Sequence, residues 1–354
     1  MYIGEPLHSF DIQVSGDITD DQTDGTLQAS MKINQTTLIG RGTLDYCRDT
    51  RREILSNRGF VVPQDWELSW KRAVGPIWTP DQMAGVAMWG DQRGIFNDTT
   101  VTSACTKWAN QLDEDQYFSQ MYTDDSPSIE SSGVNGFKYL SFDGDNEYMI
   151  IPTVRHEDSS AMDLNLNPGA GPSGNTGEAD FVVGVACTVR DDNQSLQGIV
   201  SNGGATPGWA ITADTSSSNA GYGIVHENSS ILSATSGFTG TLQMLIMAKI
   251  DGDTHFRLSG QSTASYTADN KNCDVNYGLL DASFGYGVLG QAYADKRWEG
   301  DMYDLVFARG ASVTLADVEK LEGYFLAKYG SSNISLPSAN TTYTEATPPR
   351  QGAS

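Results

Sequence analysis

Acidic residues near the C-terminal end of the sequence are the first candidates for chemistry. Retaining hydrolysis of a glycan needs two carboxyl groups about 5 to 5.5 Å apart, and alternation along a strand can place two acids on one face. Glu299, Asp301 and Asp304 come nearest to this arrangement, but a second glutamate is missing from the run. We therefore assign no catalytic residue and predict a protein that is not an enzyme.

Metal binding is the second kind of chemistry that the side chains allow. The four histidines are dispersed, and the four cysteines match no metal-ligand spacing such as C-x-x-C, so we expect free thiols. Asp143, Asp145, Asn146 and Glu147 do bring oxygen ligands close together, and Ca²⁺ prefers such ligands. The same string is also an ordinary acidic β-turn. The sequence leaves a calcium site and a plain turn open, and it predicts no other cofactor.

Aromatic residues near the ends of predicted strands are candidates for glycan binding, because sugars stack their apolar faces on aromatic rings. These candidates are Trp209, Tyr222, Tyr286, Tyr293 and Trp298. Rings at strand ends also serve in packing, and that alternative stays open for each of them.

The charge of the chain excludes one large class of partners. The formal net charge is -23 and the pI is about 4.3, so the electrostatic attraction that supplies non-specific affinity for nucleic acid has the wrong sign. The sequence starts without the basic and apolar regions of a signal peptide, and no apolar run approaches the roughly 20 residues of a membrane span. We expect no nucleic-acid partner, no membrane insertion, and a product that either stays in the producing cytoplasm or leaves it by a route other than secretion, such as lysis.

Residues 1–75 differ in pattern from the rest of the chain and predict a small α+β segment. The alternating stretch 27–33 predicts a strand with one buried face, and the mixed-charge stretch 43–58 predicts a short helix. The helix carries a basic group that could attach the chain to an acidic surface. This group is Arg48, Arg51, Arg52 and Arg58. Interleaved acidic residues allow a second interpretation, a solvated helix face with local ion pairs.

Residues 76–330 have the pattern of many strands separated by turns, which predicts an all-β antiparallel sandwich. The candidate strands are 138–142, 147–151, 180–190, 208–213, 222–226, 242–250, 254–258, 285–290 and 302–308. Thr314 as N-cap, Asp317 at the third helical position and Gly330 at the end predict one closing helix. The tail 331–354 has almost no apolar residues, so we expect it to be flexible or ordered by a partner.

Two parts of the sequence resemble a known family. The first contains IWTP (77–80), GVAMW (85–89), KWAN (107–110) and GFKYLSFDGDNEY (136–148), and the second contains WEGDMYDLVF (298–307) and LEGYFLAKYG (321–330). Both are similar to concanavalin A-like, laminin G-type jelly rolls of lectins and glucanases, at the opening half and at the last strand and closing helix. The resemblance implies a jelly roll over 76–330, with the tryptophans of the first part mostly in its core.

The resemblance also implies a function. Domains of this type occur in large virion proteins of tailed bacteriophages, which implies a non-enzymatic structural protein for capsid decoration, a head fibre or a tail fibre. Residues 1–75 would then attach to other virion proteins, and the jelly roll would face outward at the virion surface, where it contacts host-surface glycans. A homo-oligomer is expected because virion sites are symmetric. The alternative is a free glycan-binding or glycan-hydrolysing protein of the laminarinase or lectin type.

Overall fold

The computed structural model describes the backbone of residues 11–13, 26–33 and 36–43 and most of the chain from 78 to 344. Within 78–344 the description leaves out residues 97–102, 121, 152–165, 167–179, 191–196, 203–207, 217–220, 227–228, 235–238, 261–263, 267–287, 290, 293–295 and 311. The chain divides into two compact units, residues 1–79 with 349–354 and residues 80–348. No helix of the described residues is long and apolar enough to cross a bilayer.

The first unit contains one antiparallel sheet of three strands. These are β1 (Asp11–Gln13), β2 (Thr26–Ile33) and β3 (Thr36–Thr43), with β2 in the middle. The alternating stretch 27–33 therefore forms a strand, as its pattern predicts. The predicted helix 43–58 lies outside the described residues, except that Thr43 ends β3.

The second unit is built on two large antiparallel sheets. The nine-stranded sheet has the order β15 (Ser229–Ala234), β14 (Gly221–His226), β13 (Trp209–Asp214), β12 (Gln197–Ser201), β19 (Val288–Leu289), β10 (Met149–Ile150), β7 (Asp113–Ser119), β6 (Lys107–Asn110) and β5 (Ile95–Phe96). The eight-stranded sheet has the order β18 (Ala264–Tyr266), β17 (Asp253–Leu258), β16 (Gln243–Ile250), β11 (Phe181–Val189), β22 (Glu299–Arg309), β9 (Tyr139–Asp143) and β8 (Ser128–Glu130), with β4 (Val86–Gly90) paired to the second half of β22.

Short elements complete this unit. The strands β20 (Gln291–Ala292) and β21 (Lys296–Arg297) form a small hairpin. Single 3₁₀ turns span Pro80–Gln82, Gln92–Gly94, Thr123–Asp125 and Val134–Gly136. The β16–β17 hairpin turns at Asp251-Gly252, and both residues have positive φ, 53° and 84°. An Asp-Gly pair suits such a turn because its two central residues both need the left-handed region.

The core lies between the two large sheets. Side chains of successive residues in a strand point to opposite faces, and in β11 Val183, Val185 and Cys187 belong to the same buried cluster as Ile199 and Ile211 of the nine-stranded sheet. The predicted sandwich is therefore confirmed. Trp78, Trp89 and Trp108 are also buried, as expected for core tryptophans.

The other face of the eight-stranded sheet, here called the outer face, is partly covered by α1 (Leu315–Tyr329). The helix begins in a capping box, in which the Asp317 carboxylate accepts from the backbone N–H of Thr314 at 3.0 Å, and it ends at Gly330 with φ 80°. A Cβ added to Gly184 of β11 would lie 2.6 Å from a Leu321 methyl carbon. Gly184 therefore allows the helix to approach the sheet closely.

The tail after the helix packs against the same unit over residues 331–344, which differs from the expectation of a flexible or partner-ordered arm. Ile334 is fully buried, and Gly260 donates its backbone N–H to the Ser335 carbonyl at 3.0 Å. The Asn340 amide donates to the Glu322 carboxylate at 2.7 Å. A polar segment can be ordered in this way because its side chains satisfy buried polar groups of the body, although it has little apolar surface of its own.

Candidate functional site

Three of the five aromatic residues predicted for glycan binding lie in the core. Trp209, Tyr222 and Trp298 are fully buried between the sheets. Trp209 stacks on Phe181 and on Phe307, with ring centroids 5.7 and 5.8 Å apart. Their position corrects the prediction, because these rings point inward and present no surface to a ligand. Alternation cannot show which face of a strand is inside when both faces are buried.

Several other predicted residues lie outside the described part of the chain. They are Tyr286 and Tyr293 among the aromatic candidates and Arg48, Arg51, Arg52 and Arg58 among the attachment candidates. Of the cysteines, Cys105 and Cys187 are described, and both are buried free thiols. Burial raises the pKa of the Cys187 thiol, which makes it a poor nucleophile.

The acidic string 143–147 forms a tight turn that is closed by its own carboxylates. Asp143 accepts from the Asp145 N–H at 2.9 Å, Glu147 accepts from the Asp143 N–H at 2.7 Å, and the Asn146 amide donates to Asp125 at 2.7 Å. Burial, and next the nearby Asp143 carboxylate, raise the pKa of Glu147 to about 7. Within the described ranges no group of three or more His, Cys, Asp or Glu side chains could hold a metal ion. The calcium site at this turn stays a prediction from the sequence.

A polar and aromatic cluster occupies the outer face where α1 leaves the sheet uncovered. Neighbouring strands bring its members together, since Asp301 of β22 pairs with Ser141 of β9 on one side and with Thr188 of β11 on the other. The adjacent residues Met302 and Phe142 belong to the core, so by alternation the cluster side chains lie on the outer face. We call this the outer-face cluster. Its members are Tyr139, Ser141, Thr188, Arg190, Glu299, Asp301 and Tyr303.

Arg190 is the centre of the outer-face cluster. Its guanidinium forms an ion pair with Asp301 and donates to the Ser141 hydroxyl and, at 3.2 Å, to the Phe142 carbonyl. Glu299 lies 4.0 Å from a second guanidinium nitrogen. The side chain of Arg190 is held in one position although 37% of it is exposed. A planar charged group fixed in this way can offer hydrogen bonds in set directions.

Asp301 has a second partner that fixes its carboxylate. The Thr188 hydroxyl donates to the Oδ2 atom of Asp301 at 2.7 Å, while the Oδ1 atom contacts Arg190. A carboxylate oxygen has two lone pairs and can accept more than one hydrogen bond. Asp301 can therefore still accept from a ligand on its solvent side, where 16% of its side chain is exposed.

Two stacked tyrosines form the aromatic part of the cluster. The rings of Tyr139 and Tyr303 lie 4.9 Å apart at an interplanar angle of 24°. Tyr303 is buried and Tyr139 is partly exposed. A Cβ added to Gly133 would lie 2.7 Å from a ring carbon of each tyrosine. The chain at Gly133 therefore packs directly against the tyrosine pair and fixes its position.

The loop after Gly133 is tied to the end of the helix. The Asn135 amide donates to the carbonyls of Lys328 and Tyr329, at 3.1 Å each. The Tyr329 ring contacts the Tyr303 ring edge-to-face, with centroids 5.9 Å apart. These contacts satisfy carbonyls that the last turn of α1 would leave without partners. They also make the tyrosine pair part of a rigid framework.

The tyrosine hydroxyls of the cluster stay protonated at neutral pH. Burial raises the pKa of Tyr303 to about 12, and Asp301 adds to the effect. Burial, and after it the carboxylates of Asp301 and Glu130, raise the pKa of Tyr139. Both hydroxyls can therefore donate a hydrogen bond. The cluster combines an aromatic surface, a fixed guanidinium and carboxylates that accept hydrogen bonds.

Sequence reasoning identified Glu299 and Asp301 as a pair on one strand but did not find Tyr139, Arg190 or Tyr303. Alternation would have placed Asp301 and Tyr303 on one face of their strand. The pairing of β22 with both β9 and β11 is what brings Tyr139 and Arg190 beside them. That pairing joins residues more than 100 positions apart, and no local pattern specifies it.

Comparison with known proteins gives only distant structural matches. No protein-family model matches the chain, and no curated protein matches it in sequence. Trypanosoma rangeli sialidase matches with a TM-score of 0.41 and 11% identity, over 85% of this chain and 42% of the sialidase. The binding domain of botulinum neurotoxin serotype D matches with a TM-score of 0.42 and 9% identity, over 69% of this chain and 52% of that domain.

A third match is, like the sialidase, to a glycosidase. An arabinofuranosidase complexed with arabinofuranosyl-alpha-1,2-xylobiose matches with a TM-score of 0.37 and 11% identity, over 58% of this chain and 47% of the other. These matches correct the prediction that the protein is not an enzyme, because the sialidase and the arabinofuranosidase are both glycosidases. This chain spans less than half of the sialidase, and at these scores no activity is transferred to it.

Proposed function

We propose that this chain is a carbohydrate-binding protein that holds a sugar ring at the outer-face cluster. The observation that supports this most directly is the partly exposed Tyr139 ring, stacked on Tyr303 beside the fixed pair of Arg190 and Asp301. A pyranose ring has an apolar face and an edge of hydroxyl groups. An aromatic ring next to fixed polar groups complements both of these features.

Preorganisation supports the same proposal. Arg190 and Asp301 are positioned by each other and by Thr188 and Ser141 before any ligand is present. A ligand that uses these groups does not have to order them, so less of its binding energy is spent on side-chain entropy. The tyrosine pair is fixed by Gly133 in the same way.

Calorimetric titration of neutral oligosaccharides, chosen by screening on a glycan array, tests this proposal. Replacement of Tyr139 by Ala should weaken binding about 2- to 12-fold, since an aromatic contact contributes about 0.5 to 1.5 kcal/mol and 1.4 kcal/mol corresponds to a factor of ten. Tyr122→Ala is the matched control, because Tyr122 is 68% exposed and is not part of the cluster. Its affinity should equal that of the unmodified protein. Absence of any glycan ligand, or equal loss in both variants, would overturn the proposal.

A second candidate function is cleavage of the bound glycan, and one observation favours it. Burial raises the pKa of Glu147 to about 7, although the charge of Arg190 opposes the rise. The same guanidinium contacts Asp301 and lies 4.0 Å from Glu299. A protonated carboxyl near ion-paired carboxylates is the combination that acid–base hydrolysis requires. Glu147 would give its proton to the glycosidic oxygen as the bond from that oxygen to the anomeric carbon breaks, and Glu299 or Asp301 would take a proton from the water whose hydroxide adds to the anomeric carbon.

Release of reducing ends from the glycans that bind tests this second function. Glu147→Gln and Asp301→Asn should each abolish release if the cluster is catalytic, whereas Glu130→Gln, which changes an exposed glutamate on β8, should not. Binding without release in the unmodified protein would leave the chain a binding protein alone.

The place of the protein in a virion is a further part of the proposal, and it is supported by the sequence resemblance. In this proposal the chain is a surface component of a bacteriophage particle, made in the host cytoplasm, and residues 1–75 attach it to capsid or tail proteins as a homo-oligomer. Mass spectrometry of purified particles should find many copies of the chain per particle. A preparation of particles that lacks the chain would exclude this role but would leave glycan binding intact.

A further inference from the structure

We infer that the outer-face cluster selects neutral, hydroxyl-rich sugars and discriminates against anionic sugars such as uronates and sulfated sugars. This inference rests on the proposed function and names its ligand class. It follows from the charges that surround the bound ring and from the hydrogen-bonding groups that remain available to it.

The positive charge of the cluster, on Arg190, is already paired with a carboxylate of the protein. Arg190 is the arginine of the cluster, and its guanidinium contacts Asp301, Ser141 and the Phe142 carbonyl, with Glu299 at 4.0 Å. An anionic group of a ligand would have to compete with two carboxylates for this one cation. Separating Arg190 from Asp301 would break this ion pair and leave the Asp301 carboxylate with the hydrogen bond from the Thr188 hydroxyl.

The surroundings of Tyr139 are negatively charged. Besides Asp301 and Glu299, the exposed carboxylates of Glu130 and Asp143 lie on strands next to the cluster, at the ends of β8 and β9. Burial raises the pKa of Tyr139, and the carboxylates of Asp301 and Glu130 raise it further, although Arg190 opposes them. The charge of the whole chain, -23, adds a long-range repulsion of the same sign.

The groups that remain available to a ligand are mainly acceptors. Carboxylates only accept hydrogen bonds, and the cluster has two of them, Asp301 and Glu299. Its one guanidinium, that of Arg190, already uses most of its N–H donors within the protein. Sugar hydroxyls can donate to carboxylates without bringing a charge. A carboxylate or sulfate on the ligand can only accept, so beside Asp301 and Glu299 it adds repulsion without adding a hydrogen bond, and its donors would be limited to the tyrosine hydroxyls and the remaining N–H groups of Arg190.

Paired ligands that differ in one group provide the test. A neutral hexose oligosaccharide and the same oligosaccharide with each C6 oxidised to a carboxylate have equal length and linkage. We expect the full chain to bind the neutral form at least tenfold more tightly in low-salt buffer by calorimetry. Added NaCl should narrow this difference, because salt screens charge repulsion.

Variants separate the cause of the selectivity from binding itself. Glu299→Gln removes one negative charge from the cluster and should narrow the neutral-to-anionic ratio severalfold, mainly because the affinity for the anionic form rises. Asp124→Asn removes one negative charge at an exposed position outside the cluster and should leave the ratio unchanged. A thermal melt of each variant confirms that it is folded.

The possible outcomes distinguish the inference from the proposed function. If neither oligosaccharide binds in a screen that also includes other neutral and anionic glycans, the proposed function fails. If the anionic form binds as well as the neutral form, or better, glycan binding stands and the selectivity inference is overturned. The inference is also overturned if Glu299→Gln and Asp124→Asn change the ratio equally.

Discussion

The ammonium group of Lys328 donates to the carboxylate of Asp304 at 3.0 Å beneath the C-terminal helix, where 3% of the lysine side chain is exposed. Asp91 lies 3.5 Å from the same nitrogen, and the Tyr329 hydroxyl donates to the other oxygen of Asp304. Burial raises the pKa of Asp304 to about 6, and Asp91 adds to the rise, although Lys328 opposes both. These contacts hold the last turn of α1 on the outer face of the sheet, next to the Tyr139 and Tyr303 pair.

Replacement of Lys328 by Ala should destabilise the protein strongly. The change leaves Asp304 buried without its cation, and removal of one partner from a buried pair costs about 3 to 5 kcal/mol in free energy of unfolding. Lys320→Ala in the same helix is the matched control, since Lys320 forms a partly exposed pair with Asp317 and should cost about 0 to 1 kcal/mol. Urea unfolding followed by circular dichroism measures both values. Equal effects of the two changes would contradict a structural role of the buried pair.

Replacement of Gly184 by Val should push the helix away from the sheet. The new side chain would enter space that Leu321 and Phe325 occupy, and overpacking of this kind costs about 1 to 3 kcal/mol. Leu321→Ala alone should also destabilise the protein, by leaving a cavity. The double variant should be more stable than the sum of the two single losses predicts, because the smaller residue makes room for the larger one. Strict additivity in thermal or urea unfolding would show that the two side chains do not meet.

Removal of the tail after Gly330 should lower the free energy of unfolding of the sandwich. A chain that ends at Gly330 loses the buried Ile334 and the contacts of Asn340 with Glu322 and the Glu319 carbonyl. Burial of one large apolar side chain contributes about 1.5 to 3 kcal/mol, so we expect a loss of about 3 kcal/mol once the hydrogen bonds are included. A chain that ends at Thr344 keeps these contacts and serves as the control. Equal melting temperatures of the two truncated chains would mean that residues 331–344 do not stabilise the body.

Glu147→Gln should change how stability depends on pH. The folded-state pKa of Glu147 is raised from 4.5 to about 7, so the folded protein keeps a proton that the unfolded chain releases near pH 4.5. The unmodified protein therefore loses stability as pH rises from about 4.5 to 7, and the loss is complete above pH 7. Glutamine has no proton to release, and its side-chain oxygen can still accept from the Asp143 N–H.

The measurement for Glu147 is a series of melting temperatures between pH 4.5 and 8. Relative to the unmodified protein, the melting temperature of the Glu147→Gln variant should rise from pH 4.5 to about pH 7 and then stay constant up to pH 8. The Glu130→Gln variant, changed at an exposed position, should differ in melting temperature from the unmodified protein by the same amount at every pH. A constant difference between the Glu147→Gln variant and the unmodified protein at every pH would contradict the raised pKa.

The sequence alone determined the class of the fold and many of its elements. Period-two alternation and turn residues predicted an antiparallel sandwich, and the capping residues Thr314, Asp317 and Gly330 bounded the closing helix. The Asp251-Gly252 pair specified the β16–β17 hairpin. These features are local, because backbone sterics and hydrogen bonds within a few residues decide them.

Only the tertiary structure decided which of the candidate side chains are buried and which share one exposed surface. Trp209 and Trp298 were predicted to lie on a ligand-binding surface, but they lie in the core. The sequence could not show this, because a strand that is covered on both sides has no alternation to distinguish its two faces. Tyr139 and Arg190 meet Asp301 because β9 and β11 flank β22. Pairing between distant strands depends on how the whole chain buries its apolar surface, and this global result cannot be obtained from any short stretch of sequence.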